Sequence, residues 1–228
     1  MTNTLTGMLL AAAAGLNAFL PILGLALADR FTSKVDLPQP YNVISSIAGI
    51  AILLVLVTIE LIADKIPRID HLNDLINSPI RPAAGMFLMM AAVSGKNEIH
   101  EVVAMFIGLL LAGAVHVYKS ISRTRITLAT NGLANPMVSL IEDGIAGLTT
   151  LLAIAVPWIG LAFAIPAGIG LGWVYRKTSG PNDLSTQRAA ERPAVISETP
   201  GGRKPKRAVM RRPKTGRTAA VQPETPDA

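Results

Sequence analysis

Hydrophobic positions in this chain do not alternate with polar ones; they come in blocks. Six apolar runs, Leu5 to Leu27, Val43 to Ala63, Ile80 to Val93, Val102 to Tyr118, Met137 to Val156 and Trp158 to Tyr175, are separated by short polar stretches. A hydrocarbon core about 30 Å thick takes about 20 helical residues to cross, so every run but the third has the length of a transmembrane helix. The third is short and opens with Arg81 and Pro82, which fits a re-entrant segment or a span completed by its polar flanks. Strands of a membrane barrel would alternate apolar with polar, and these continuous Leu/Ala-rich runs do not. The pattern therefore predicts an all-α, polytopic helical membrane protein, with about six transmembrane helices in residues 1–177.

Composition sharpens this picture. Half of the 228 residues are hydrophobic and only 16% are charged, too few to cover a soluble domain of this length. The charge is also unevenly placed. Residues 178–228, with Arg176 and Lys177 just ahead of them, are rich in proline and basic side chains and nearly devoid of large apolar ones. Such a segment cannot bury enough surface to offset its ordering entropy and is expected to be a disordered tail. Its tract Arg203 to Arg217 is dense in Arg and Lys, suited to anionic lipid headgroups or an acidic cytoplasmic partner; nucleic acid is a weaker fit.

Basic residues near span ends also set orientation. The loops after the first, third and fifth runs carry Arg30, Lys34 and Lys96, whereas those after the second and fourth carry Lys65, Arg68, Arg81, Lys119, Arg123 and Arg125, on the side of the basic tail. Six spans with this bias place both termini in the cytoplasm. The Ala26-Leu27-Ala28 stretch looks like a leader cleavage site, but no basic residue precedes the apolar run, so retention is expected. Small residues recur every fourth position in Gly7, Ala11 and Gly15 and in Gly160, Ala164, Gly168 and Gly172. These stripes allow close helix packing inside the bundle or between copies in a homo-oligomer.

Candidate chemistry lies where charge meets the apolar runs. Glu60 and Asp64 sit one helical turn apart at the inner end of the second run. Glu142 and Asp143 lie about 8 to 10 Å into the fifth, if Asn135 caps that helix and Pro136 begins it. The two runs are antiparallel, so the four carboxylates are expected to converge as an ion- or proton-coupling group. The competing reading is a solvated interface, with Ser139 and Glu142 as a capping box. Asn17 and His116 are supporting polar candidates within spans, as are Asn135 and Ser139. Lys65, Arg68 and Arg81 are candidates for a lipid phosphate or for counter-charge. The linker between them reads as a short surface helix, on which Asp70, His71 and Asp74 have spacings able to hold a divalent ion. A solvated face is the commoner use of such residues, and no metal or cofactor is assigned.

Three blocks, GLNAFLPILGLALADRF, ELIADKIPRIDHLND followed by IRPAAG, and GLANPMVSLIEDGIAG, resemble the signature of the bacterial membrane family catalogued as domain of unknown function 4126. The resemblance runs from Thr4 to about Tyr175. It implies an integral protein of the inner (plasma) membrane and carries no activity with it. No phosphate-binding loop, dinucleotide fingerprint, nucleophile elbow or HExxH pair is present, so an enzyme is not expected. The remaining functions are a secondary transporter coupled through intramembrane carboxylates, a non-catalytic scaffold that recruits partners through its basic tail, and a lipid-phosphate binder or carrier.

Overall fold

The computed structural model describes residues 2–178, without the side chains of 67–72, 74 and 178. The basic tail lies outside the described residues. Within them the chain is helical: α1 (Thr2–Leu16), α2 (Phe19–Phe31), a 3₁₀ turn (Tyr41–Ser45), α3 (Ile47–Ala63), α4 (Pro67–Val93), α5 (Glu101–Thr130), α6 (Asn135–Ala155) and α7 (Pro157–Thr178). Three of these, α5, α6 and α7, are long and apolar enough to cross a membrane, and α3 is a shorter apolar helix. The outward face is apolar, and the interior holds charge beside its apolar packing. Ile52, Val55, Ile59 and Ile62 of α3 point outward, as do Phe106, Leu110 and Val117 of α5, while Arg81, Lys119, Glu60 and Glu142 are buried. A water-soluble fold has the opposite arrangement; these are the helices of an integral membrane protein.

The first apolar run is not one helix. It breaks at Asn17 and Ala18, and α2 turns back alongside α3. Contacts along the run trace the reversal. Asn3 and Thr4 bond Glu98 in the α4–α5 loop, Gly7 faces Met89 and Ala92, Gly15 faces Ala112 and Val115, and Asn17 reaches Asp143. Then Leu23 and Ala26 pack with Leu53 and Val57, Gly24 meets Thr150, and Arg30 donates to the Ser45 carbonyl at 3.1 Å. Both open ends of this hairpin lie at the loop end of the bundle. Thr6 is level with Ala153 and Asn17 with Asp143 on α6, so the hairpin tip is about 15 Å deeper at 1.5 Å per residue.

Local chemistry explains the reversal. The Asn17 side-chain oxygen accepts from Leu20 N at 3.0 Å, a capping bond for α2. Pro21 falls in the first turn of α2, where its missing N–H costs little. The expected single span from Leu5 to Leu27 is corrected accordingly. α1 starts beside Glu98, whereas α7 ends beyond Tyr175, which bonds Glu142 at the tip end. The two ends of the described chain lie at opposite ends of the bundle.

The third run is also longer than expected. It continues the linker in one helix, α4, through Pro79 and Pro82, so the separate surface helix and the re-entrant third segment do not form. Glycine sets the α4–α5 crossing. A Cβ added at Gly85 would lie 2.6 Å from the Gly108 carbonyl oxygen, and one at Gly108 would lie 2.3 Å from that of Gly85. The backbones therefore touch, which places Arg81 of α4 against His116 of α5 one to two turns deeper. The Gly7-Ala11-Gly15 stripe is consumed by packing of α1 against α4 and α5.

Candidate functional site

Around the hairpin tip lies a layer of charge closed off from solvent. Glu60 and Asp64 arrive on the last turn of α3 and its cap, Arg81 on α4, His116, Lys119 and Arg123 on one face of α5, Glu142 and Asp143 on α6, and Tyr175 on α7. Every one of these residues is less than 9% exposed. Buried charge on this scale survives only when paired and hydrogen-bonded, and here it is. Arg81 donates through Nε and a terminal nitrogen to Glu60 Oε1 at 3.3 and 3.0 Å. Lys119 Nζ bridges Asp64 at 2.8 Å and Glu142 at 3.1 Å. Arg123 makes a forked contact to Glu142, whose other oxygen accepts the Tyr175 hydroxyl. Half-buried Lys65 pairs with Asp143 at 3.0 Å. Each of the four acids has a basic partner.

The same charges close the broken backbone. A helix break at membrane depth leaves N–H and C=O groups without partners, tolerable only where protein supplies them. Glu60 accepts from Ala18 N at 3.0 Å and Phe19 N at 3.3 Å, a carboxylate at the positive start of α2. Lys119 donates to the Leu16 carbonyl at 2.7 Å, an ammonium at the negative end of α1. Asn17, fully buried, spans the gap by donating to Asp143 at 3.2 Å while its oxygen caps α2. The Arg81 guanidinium can only donate, so the His116 Nδ1 lying 3.0 Å away must accept, which places any ring proton on Nε2.

The carboxylates expected to converge do so, since one ammonium touches Asp64 and Glu142 together. They do not form an acid-only cage, because protein cations already occupy it. Arg81 serves as counter-charge from a fully buried position, out of contact with the lipid-facing surface. Lys65 does the same for Asp143, while the side chain of Arg68 lies outside the described residues, as do those of Asp70, His71 and Asp74. Among the described residues no group of three acidic or histidine side chains is placed to hold a metal. Asn135 does not cap α6; it exchanges hydrogen bonds with Thr127 of α5 and fastens the turn between the helices. Ser139 is fully buried with no partner for its hydroxyl, and the capping box with Glu142 does not form because Glu142 is taken by Lys119, Arg123 and Tyr175.

Three members of the layer were not among the sequence candidates: Lys119, Arg123 and Tyr175. Lys119 and Arg123 read as orienting charges beyond the end of a span, but α5 continues to Thr130 and carries them into the core. The usable signal is their spacing. His116, Lys119 and Arg123 follow at three and four residues, one helical face.

The sequence profile described as Domain of unknown function (DUF4126) matches residues 4–177. The chain belongs to this family. The match covers the hairpin, the charged layer and all the packed helices, and it stops where the basic tail begins. No curated protein and no solved structure matches the chain, so within this DUF4126 member the argument for function rests on the site itself.

Proposed function

We propose that this DUF4126 member is a secondary transporter of a small charged solute, gated where the α1–α2 hairpin meets the charged layer. The observation that carries the reading is a discontinuous helix at membrane depth whose two free ends are held by ionisable side chains. Carriers use broken helices in this way, with the exposed backbone ends and nearby carboxylates forming the solute site. In the closed state all the charges are satisfied internally. Removing one partner of a buried pair costs about 3 to 5 kcal/mol, so the layer opens only if something replaces that partner. A proton on Asp64 or Glu142 does so in part. It leaves Lys119 and Arg123 in excess, and a solute carrying a negative group completes the layer. This reading replaces an acid-only cation site with proton-linked charge exchange.

The hairpin starts and ends on one side, so α3, the second half of α4, α5, α6 and α7 make five crossings. Half-buried Lys65 and exposed Arg125, Arg176 and Lys177 lie at the tip end, which puts that end in the cytoplasm by charge bias. α1 then begins on the outer side of the inner membrane. The test is transport by purified protein in liposomes, with a panel of small anions and cations and a pH gradient imposed in each direction. Proton-linked movement of an anionic solute, lost in Asp64→Asn with the fold intact, supports the proposal. If the wild type moves no member of the panel, the competing scaffold reading stands. That reading requires no transport and predicts binding of acidic lipids or proteins through Arg203 to Arg217, without enzymatic activity.

A further inference from the structure

Between α5 and α7 the bundle is not closed. Along its small-residue stripe α7 comes closest to its neighbours at Gly160 and Gly172. At Gly160 an added Cβ would lie 3.0 Å from Leu9 and 3.1 Å from the Ala153 backbone nitrogen, and at Gly172 it would lie 2.8 Å from the Tyr118 hydroxyl oxygen. Between them, an added Cβ at Gly168 would meet nothing within 4 Å. The gap is a cleft of about 310 Å³ whose floor is Ala13 and Leu16 of the hairpin, with Ala114 and Val115 on one wall and Ala164 and Gly168 on the other. The Tyr118 ring lines its tip end, tilted against the Tyr175 ring with centroids 5.5 Å apart.

We propose that this cleft seats one acyl chain of an anionic phospholipid. The occupant follows from lining, surroundings and charge. The walls are small and apolar side chains around about 310 Å³, which suits an alkyl chain. Its opening lies among spans whose outward faces are Ile159, Ile165 and Ile169 on α7 and Leu110 and Val117 on α5, so alkyl chains are what surrounds it. Exposed Arg176 and Lys177 end α7 on the same side, where a lipid phosphate gains from cations. The inference rests on the membrane placement and is independent of transport.

The experiment reconstitutes the full chain in bilayers of phosphatidylcholine containing phosphatidylglycerol with a photoreactive diazirine in one acyl chain, then maps the labelled residues by mass spectrometry. Labelling concentrates on Ala114, Val115 and Gly168 relative to outward-facing Ile159 and Leu151. Gly168→Phe, which the open space accommodates, lowers labelling at Ala114 and Val115 roughly tenfold and leaves Leu151 unchanged. Ala164→Leu does the same from the other half of the wall, so a folding defect in one variant does not decide the matter. Arg176→Gln with Lys177→Gln removes the preference for the phosphatidylglycerol probe over the matching phosphatidylcholine probe. Even labelling over all lipid-facing positions, or unchanged labelling in both filled variants, overturns the proposal, as does a Gly168→Cys disulfide between two copies.

Discussion

The α1–α2 hairpin is held at each of its helix N-termini by a carboxylate, and the two differ in depth more than in chemistry. At the start of α1, Glu98 accepts from Thr4 N at 2.8 Å, Thr4 Oγ1 at 2.7 Å and Asn3 Nδ2 at 3.1 Å. At the start of α2, Glu60 accepts from Ala18 N and Phe19 N. Glu98 comes from a loop and is partly exposed. Glu60 is 2% exposed and carries Arg81. A helix start binds an anion at either depth, but only the buried one requires a counter-charge. That requirement recruits Arg81, and with Arg81 come His116 and, through Asp64, Lys119 and Arg123. The charged layer is thus what a carboxylate cap becomes when it is moved from the bundle end into the bundle interior.

The largest expected effect separates the two caps directly. Glu60→Ala leaves two backbone N–H groups and Arg81 without their main partner and should cost about 3 to 5 kcal/mol, as breaking a buried pair does. Lys119→Met should fall in the same range, since it removes one partner from Asp64, Glu142 and the Leu16 carbonyl at once. Thermal unfolding in detergent measures both. If either variant is as stable as the wild type, the layer is not what holds the tip.

Next in size is the α4–α5 crossing that brings Arg81 to the layer. Gly85→Leu forces the two backbones apart and should cost about 1 to 3 kcal/mol by overpacking. It also sharpens the comparison: the layer should loosen, seen as faster hydrogen exchange at Ala18 and Phe19, while the bonds at Thr4 are unaffected. Equal loosening at both caps would mean that Gly85 supports the bundle generally.

The smallest effect belongs to the outer cap. Slight burial pushes the Glu98 carboxyl up, but the hydrogen bonds it accepts at the start of α1 outweigh this and hold its pKa at about 2, below the ordinary 4.5. A depressed acid pKa adds stability above the ordinary value and loses it as pH falls towards the folded one. Glu98→Gln should cost about 1 kcal/mol near neutral pH, as an exposed cap does. Its difference from the wild type should shrink as the pH is lowered from 4.5 towards 2. A difference that stays constant through that interval would show that the carboxylate charge is not what binds the helix start.

The contrast between the caps also explains what was legible in the sequence. Apolar block length is a local property, so the helical class and the membrane setting could be read directly. Glu60 and Asp64 stood out because they share one face at the end of such a block, and Glu142 with Asp143 because they interrupt another. The hairpin was not legible for a different reason. Asn17 and Pro21 are helix-start signals, but in an apolar run they equally describe a bend, and the group that decides between the two, Glu60, is more than forty residues away. Lys119 and Arg123 were hidden by the rule that assigns basic residues after an apolar run to the interface; only the continuation of α5 puts them inside.

The hairpin itself is the centre of the account, and one distance tests it. Spin labels at Thr2 and Ser33, both exposed, report whether the first apolar run crosses the membrane or returns. A continuous helix would separate these positions by about 45 Å at 1.5 Å per residue. In the hairpin they lie at the same end of the bundle, where Asn3 and Lys34 line one pocket. Pulsed electron resonance on the reconstituted protein should therefore give a distance well under half of the continuous value. A single population near 45 Å would contradict the hairpin, and with it the capped break on which the proposed gate depends.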